Sequence, residues 1–201
     1  MLIFQGGKML FFDESKLKIV IVKNFYSQIG KIPLLNHLFL EILKTKREGY
    51  LTKHSHHFLP VNTYDFIAYH VAFLDEANQQ VVLTAKIVSY RDCLYYRLPF
   101  PVLDVGPLFN QVQKNEVMRI IDQRINLGLD VSYSGGWSVN PIYKGLGKSK
   151  NLRDLYTGIH YHVHKQFHLS TMMGFGAPQI GTLDFFKTWG VSPRAVSLKL
   201  G

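Results

Sequence analysis

The residues best suited to chemistry form one run, Val139-Asn140-Pro141-Ile142-Tyr143-Lys144-Gly145-Leu146-Gly147-Lys148-Ser149. Gly145 and Gly147 remove Cβ atoms that would keep a phosphate from the backbone, and Lys144, Lys148, Lys150 and Arg153 surround the run with positive charge. If a helix starts just after it, the first backbone N–H groups have no intrahelical partner and lie at the positive end of the peptide dipoles. Such a turn binds an anion, and a pyrophosphate fits it well.

The flanking patterns supply that setting. Upstream, Val131, Tyr133, Trp137 and Val139 share one parity, and Ser132, Ser134, Ser138 and Asn140 share the other, the period-two pattern of a strand. Downstream, Leu152, Leu155, Tyr156, Ile159, Val163 and Phe167 recur at three- and four-residue steps, which is helical spacing. A strand therefore feeds a helix through the glycine turn.

Two phosphate fingerprints fail here. The Walker loop needs a glycine where Ile142 stands, although Gly147-Lys148-Ser149 supplies its end, and the dinucleotide G-x-G-x-x-G lacks its third glycine at Lys150. The run instead resembles the acyl-CoA loop of the GNAT acyltransferases, R/Q-x-x-G-x-G/A, often preceded by V-x-P-x-Y. Val139, Pro141 and Tyr143 match the approach, Lys144 stands for Arg/Gln, Gly147 is the retained glycine, and Ser149 replaces the final Gly/Ala. The match is specific over about a dozen residues. The order of elements is similar over Leu17 to Gly190 by pattern alone.

The resemblance implies an α/β (α+β) fold: a mixed, mostly antiparallel central sheet flanked by helices, with two strands splayed to form an acyl-CoA cleft. Gly135-Gly136 interrupts the strand where that family has a bulge. The implied co-substrate is acetyl-CoA or acyl-CoA, held by Trp137, Val139, Lys144, Gly145, Leu146, Gly147, Lys148 and Ser149. A backbone N–H from Gly136 to Ser138 would polarise the thioester carbonyl. The family's next strand falls at His168 to Phe175 and its short last helix at Thr182 to Trp189. Phe186 occupies the position of that helix's usual tyrosine acid, so this acid is absent. The implied reaction is acyl transfer to an amine, which must be neutral to attack. Asp104, Glu116 and His168 are the candidate bases.

Two alternatives stay open. Acyl-homoserine-lactone and N-acyl amino acid synthases share this core and commonly take their chain from acyl carrier protein, an acidic donor suited to a basic chain. Loss of the tyrosine and the unusual Ser149 also suit a non-catalytic CoA-binding module. The acceptor expected is a small amine or amino acid.

Composition sets the bounds. A chain of 201 residues suits a single domain over 1–201, and 47% hydrophobic against 18% charged residues describes a globular protein. The net charge of +9 favours an anionic partner. No nucleic-acid motif accompanies it, so none is expected as partner. The single cysteine, Cys93, excludes an internal disulfide and points to the cytoplasm. Met1-Leu2-Ile3-Phe4 is too short for a signal-peptide core, and no run approaches the roughly 20 apolar residues of a membrane span.

The remaining elements read in order as follows. Leu17 to Val22 is the first strand, and a helix runs from Pro33 to near Gly49. Leu51 to Asn62 is a solvated loop carrying His54, His56 and His57. Tyr64 to Leu74 and Gln80 to Tyr90 form a hairpin across Asp75 to Gln79. Arg91 to Pro107 is irregular, with Tyr95, Tyr96, Arg97 and Asp104 as candidate acceptor-pocket residues. Glu116 to Leu127 is a helix stopped by Gly128. His160, His164 and His168 are spaced by four, but H-E-x-x-H is absent and no metal is expected.

Overall fold

The computed structural model describes residues 2–5, 8–11, 16–51, 61–104, 110–143 and 150–175. In chain order these give β1 (Leu2–Gln5), β2 (Lys8–Phe11), β3 (Leu17–Lys23), α1 (Pro33–Leu51), α2 (Tyr64–Ile67), β4 (Tyr69–Asp75), β5 (Gln80–Ser89), α3 (Tyr90–Tyr95), α4 (Pro101–Asp104), α5 (Gln111–Asn126), β6 (Asp130–Val139), α6 (Lys150–Gln166) and β7 (Leu169–Met173). Strands β1 and β2 form a separate antiparallel hairpin, whereas the other five make one sheet in the order β3-β4-β5-β6-β7. All its pairings are antiparallel except β6 with β7, which run parallel. The sheet is thus mixed, mostly antiparallel and flanked by helices, as the acyltransferase resemblance implies.

Helices cover both faces, which is why β4 and β5 are buried along nearly their whole length. Against α6 lie Val71, Phe73, Leu83, Ala85 and Ile87, closed by Leu152, Tyr156 and Val163. On the opposite face α1 packs Phe39 and Ile42 onto Val22, Ala72 and Val81. There α5 sets Ile121 against a cluster that includes Val88, Val131, Cys93, Phe100 and Val102. Cys93 is fully buried, and burial first, then the nearby Asp92 and Asp130 charges, push its thiol up to about 12. Local chemistry fixes the helix ends. Asn110 and Gln113 form a reciprocal capping box at the start of α5, and Gly128 turns the chain after it at φ 76°.

Several sequence expectations are corrected. The N-terminal hairpin precedes the strand expected to be first. Helix α1 runs through Gly49 to Leu51, because that glycine lies against β6 rather than ending a helix. Tyr64–Ile67 is a single helical turn, so its strand starts only at Tyr69; Tyr90 opens α3, capped by the Ser89 hydroxyl, which accepts from the Asp92 N–H at 3.1 Å. The stretch read as irregular contains α3 and α4. His168 sits at φ 56° in the turn before β7 rather than in the strand.

The sharpest correction concerns β6. Lys86 pairs with Gly135 and Thr84 with Ser138, so Gly136 and Trp137 together stand opposite Ala85. The expected bulge is there, with Gly136 at φ 63°, and one extra residue flips the alternation. Val131 faces α5 while Trp137 and Val139 pack on the α6 side, so the four do not share a face. Ser132 and Ser134 meet α6, whereas the Ser138 hydroxyl donates to the Thr45 carbonyl of α1 at 3.0 Å. Among the described residues no helix is long and apolar enough to cross a membrane.

Candidate active site

Strand β6 connects two features, a pinned exit toward the glycine turn and a charged cavity beside the bulge. At the exit, the Asn140 N–H donates to the Val82 carbonyl at 2.9 Å, and its side-chain oxygen accepts from the Ile142 N–H at 3.1 Å. Pro141–Tyr143 forms one turn of 3-10 helix, and the buried Tyr143 hydroxyl donates to Asp75 Oδ2 at 3.0 Å. Trp137 packs edge-on against Tyr156 of α6, with ring centroids 4.1 Å apart. The helix begins at Lys150, and Leu152 is already in the core. Strand and helix therefore flank residues 144–149, the order of elements expected from the sequence. Lys144, Gly145, Leu146, Gly147, Lys148 and Ser149 themselves lie outside the described residues, as do His54, His56, His57 and the segment Thr182–Trp189 with Phe186.

Parallel pairing of β6 with β7 runs from Asp130/Leu169 to Tyr133/Met173, with nothing further along β6 paired to β7 among the described residues. Among the described residues the last pair, Tyr133/Met173, falls three residues before the bulged Gly136. On the α5 side of that point, Asn62, Tyr64, Lys86, Pro101, Asp104, Tyr133 and Phe175 line a cavity of about 190 Å³. That is smaller than the roughly 300–1,000 Å³ of pockets for drug-sized ligands, so it suits a small molecule.

Behind the cavity wall lies a cluster of buried charge. Lys46 (2% exposed) and Lys86 (4%) both pair with Asp65 (0%), Lys86 at 3.2 Å from Oδ1 and Lys46 through a short contact to the same oxygen. Lys86 also donates to Asn62 Oδ1 at 2.8 Å, and the Asn62 N–H donates to Asp65 Oδ2 at 2.8 Å. Burial alone would raise the Asp65 pKa, but the charges of Lys86 and Lys46 and their hydrogen bonds hold it below the usual carboxylate range. For Lys86 burial dominates over Asp65, and its pKa falls to about 8. His70 donates from Nε2 to the Asp65 carbonyl at 2.7 Å, and desolvation lowers its pKa to about 4, so it is neutral. The bulge rests on this cluster: a Cβ on Gly136 would lie 3.3 Å from Lys86 Cγ and 3.4 Å from Lys46 Cε.

Of the candidate bases, Asp104 lines the cavity from α4, where the Tyr64 hydroxyl lies 2.9 Å from its Oδ2 and 2.9 Å from the Pro99 carbonyl. Burial, then the hydrogen bond and charge of Asp104, raise the Tyr64 pKa, so the phenol keeps its proton and can donate. Glu116 sits on the outer face of α5 in a two-point pair with Arg119, at 2.7 and 2.8 Å. His168 is exposed at the α6–β7 turn. Tyr95 is likewise exposed, and Tyr96 accepts from the Asn24 side chain through its hydroxyl.

The histidines of α6 take structural partners. His160 Nε2 lies 2.8 Å from Ser134 Oγ and His164 Nε2 lies 3.1 Å from Ser132 Oγ, their rings 4.6 Å apart. Desolvation lowers the two to about 3 and about 4, so both are neutral. Among the described residues no group of three His, Cys, Asp or Glu side chains is placed to hold a metal.

Sequence reasoning missed Lys46, Asp65 and Lys86. A signal was present for Lys86, a lone lysine inside the apolar run Val81 to Val88, where a charge is tolerated only when paired.

No family model matches the chain, and no curated protein matches it. Among solved structures, an acetyltransferase of Trypanosoma brucei is similar at a TM-score of 0.46, with 12% identity over 92% of this chain and 99% of that one.

Proposed function

We propose that the protein is an acyltransferase that moves an acyl group from an acyl-CoA thioester to a small amine. One observation carries the reading: the glycine bulge of β6 sits beside a small charged cavity, just past Tyr133/Met173, the last β6–β7 pair among the described residues. In this reading a pantetheine arm runs along β6 beyond the Tyr133/Met173 pair, and the turn Lys144 to Ser149 is suited to its diphosphate. Trp137 and Val139 border that route.

The amine lone pair attacks the thioester carbonyl, forming the C–N bond. A backbone N–H from Gly136 to Ser138 stabilises the developing oxyanion. Asp104 takes the proton the amine loses, and the C–S bond then breaks to release CoA as thiolate, which is protonated by solvent. The products are an amide and a free thiol. Much of the rate comes from holding the two reactants together.

Release of free thiol from acetyl-CoA and longer acyl-CoA donors, with and without a panel of amines, tests this. Amine-dependent release with an amide product identified by mass spectrometry is the expected result. CoA binding without release identifies a binding module and removes the enzyme. The net charge of +9 favours a second donor, acyl carrier protein. In that case turnover weakens with added salt.

A further inference from the structure

The cavity displays two opposite charges that are not paired with each other. Lys86, almost wholly buried, forms part of the wall and takes its ion pair from Asp65, while Asp104 is exposed and takes a hydrogen bond from Tyr64. Among the described residues no ion pair joins Lys86 to Asp104. An ammonium has three N–H groups; the described acceptors of Lys86 are Asp65 and Asn62, fewer than its donors, and the residue lines the cavity. Among the described residues its cluster holds two lysines and one carboxylate, which leaves an excess positive charge in low dielectric, where an anion is strongly attracted. Tyr133 adds a phenol whose proton stays on, because burial, Tyr50 and Asp65 push it up to about 12. Its oxygen lies by Gly135, where a Cβ would stand 2.5 Å away, and the ring borders the cavity.

We propose that the cavity holds a small amino acid, its carboxylate on Lys86 and Tyr133 and its amino group on Asp104. As an acceptor assignment this rests on the acyl-transfer reading; as a binding site it does not. A simple amine satisfies only Asp104 and leaves Lys86 without its anion. A carboxylic acid lacking the amine satisfies only Lys86.

Calorimetry of the protein alone, without any thioester, tests the assignment with the common amino acids. For each that binds, its decarboxylated amine and its deaminated acid are then titrated. We expect at least one amino acid to bind, and both truncated analogues to bind about 10- to 100-fold more weakly, the contribution of one charge-assisted hydrogen bond. Lys86→Met leaves Asp65 paired one-to-one with Lys46, so the fold keeps a balanced pair. This variant loses the preference for the amino acid over its amine. Tyr133→Phe, which removes only the hydroxyl, weakens amino acid binding without touching the cluster. Failure of every amino acid to bind, or equal affinity for the decarboxylated amine, overturns the proposal. Thiol release with simple amines and no amino acid preference would sink this assignment and leave acyl transfer standing. Amino acid binding without thiol release from any donor would do the reverse.

Discussion

Gly49 of α1 and Ser138 of β6 touch so closely that a methyl on Gly49 would fall 2.0 Å from Ser138 Oγ and 3.0 Å from the Val139 carbonyl oxygen. Ser138 in turn donates to the Thr45 carbonyl, fixing the end of β6 against the helix. In an exposed helix, Gly→Ala gains about 1 kcal/mol of propensity. Here overpacking costs about 1–3 kcal/mol and wins. Gly49→Ala is therefore expected to lower the denaturant midpoint, and adding Ser138→Gly should recover part of the loss.

Asp65 is the hub of the buried charge. Asp65→Asn leaves two ammonium groups competing for a neutral amide, and loses on the order of 3–5 kcal/mol, the typical cost of breaking a buried pair. Lys86→Met, which leaves one lysine for one carboxylate, should cost distinctly less. Urea unfolding of the two variants ranks them, and the opposite order would contradict the paired cluster.

Gly136 needs its missing side chain twice over, for φ 63° and for clearance above Lys86 and Lys46. The left-handed conformation alone costs an alanine about 1–2 kcal/mol. On the proposed reading, in which this backbone positions a thioester carbonyl, the shift should reach activity harder than stability. Gly136→Ala is expected to lower thiol release by about 100-fold while the protein stays folded by circular dichroism.

Stability should fall on mild acidification. His70, His160 and His164 are neutral in the fold, with values near 4, 3 and 4 against an ordinary 6.5, chiefly through desolvation. Below pH 6.5 the unfolded chain binds protons that the folded chain refuses, so their stabilisation is complete above 6.5 and lost progressively toward pH 4. Each contributes on the order of 3 kcal/mol over that window. Melting temperatures measured from pH 8 to pH 4 should be flat and then decline.

Acceptor binding should have the opposite limit. Lys86, with Asp65, Lys46 and Asn62 around it, is lowered to about 8, so its positive charge fades as pH rises past that value. KM for an amino acid acceptor is expected to climb above pH 8, while KM for its decarboxylated amine does not. Identical profiles would remove Lys86 from carboxylate recognition.

Much of the fold was legible because its elements announce themselves locally. The period-two run into Pro141, the Gly135-Gly136 interruption and the helical spacing from Leu152 to Phe167 all lie in contiguous residues, and β6, its bulge and α6 followed. The bulge's effect on facing was not legible by simple alternation, since one inserted residue reverses every later side chain. Tyr64–Ile67 carries strand-forming residues yet coils, and the turn places Asp65 between two lysines. That constellation is drawn from α1, α2 and β5, so no local pattern could reveal it. Asp104 was reachable as a candidate because prolines mark its segment, whereas its partner Tyr64 lies 40 residues away.

Cys93 turns out to be convenient for the bench. Because its sulfur is sealed in the core and reluctant to ionise, a thiol-reactive dye added to the native protein in the proposed assay registers any thiol released from a donor and not the protein itself. Once the chain opens, the same dye gains one stoichiometric signal per molecule. A single colour reaction thus reports turnover and, for any variant, whether the loss of it is merely unfolding.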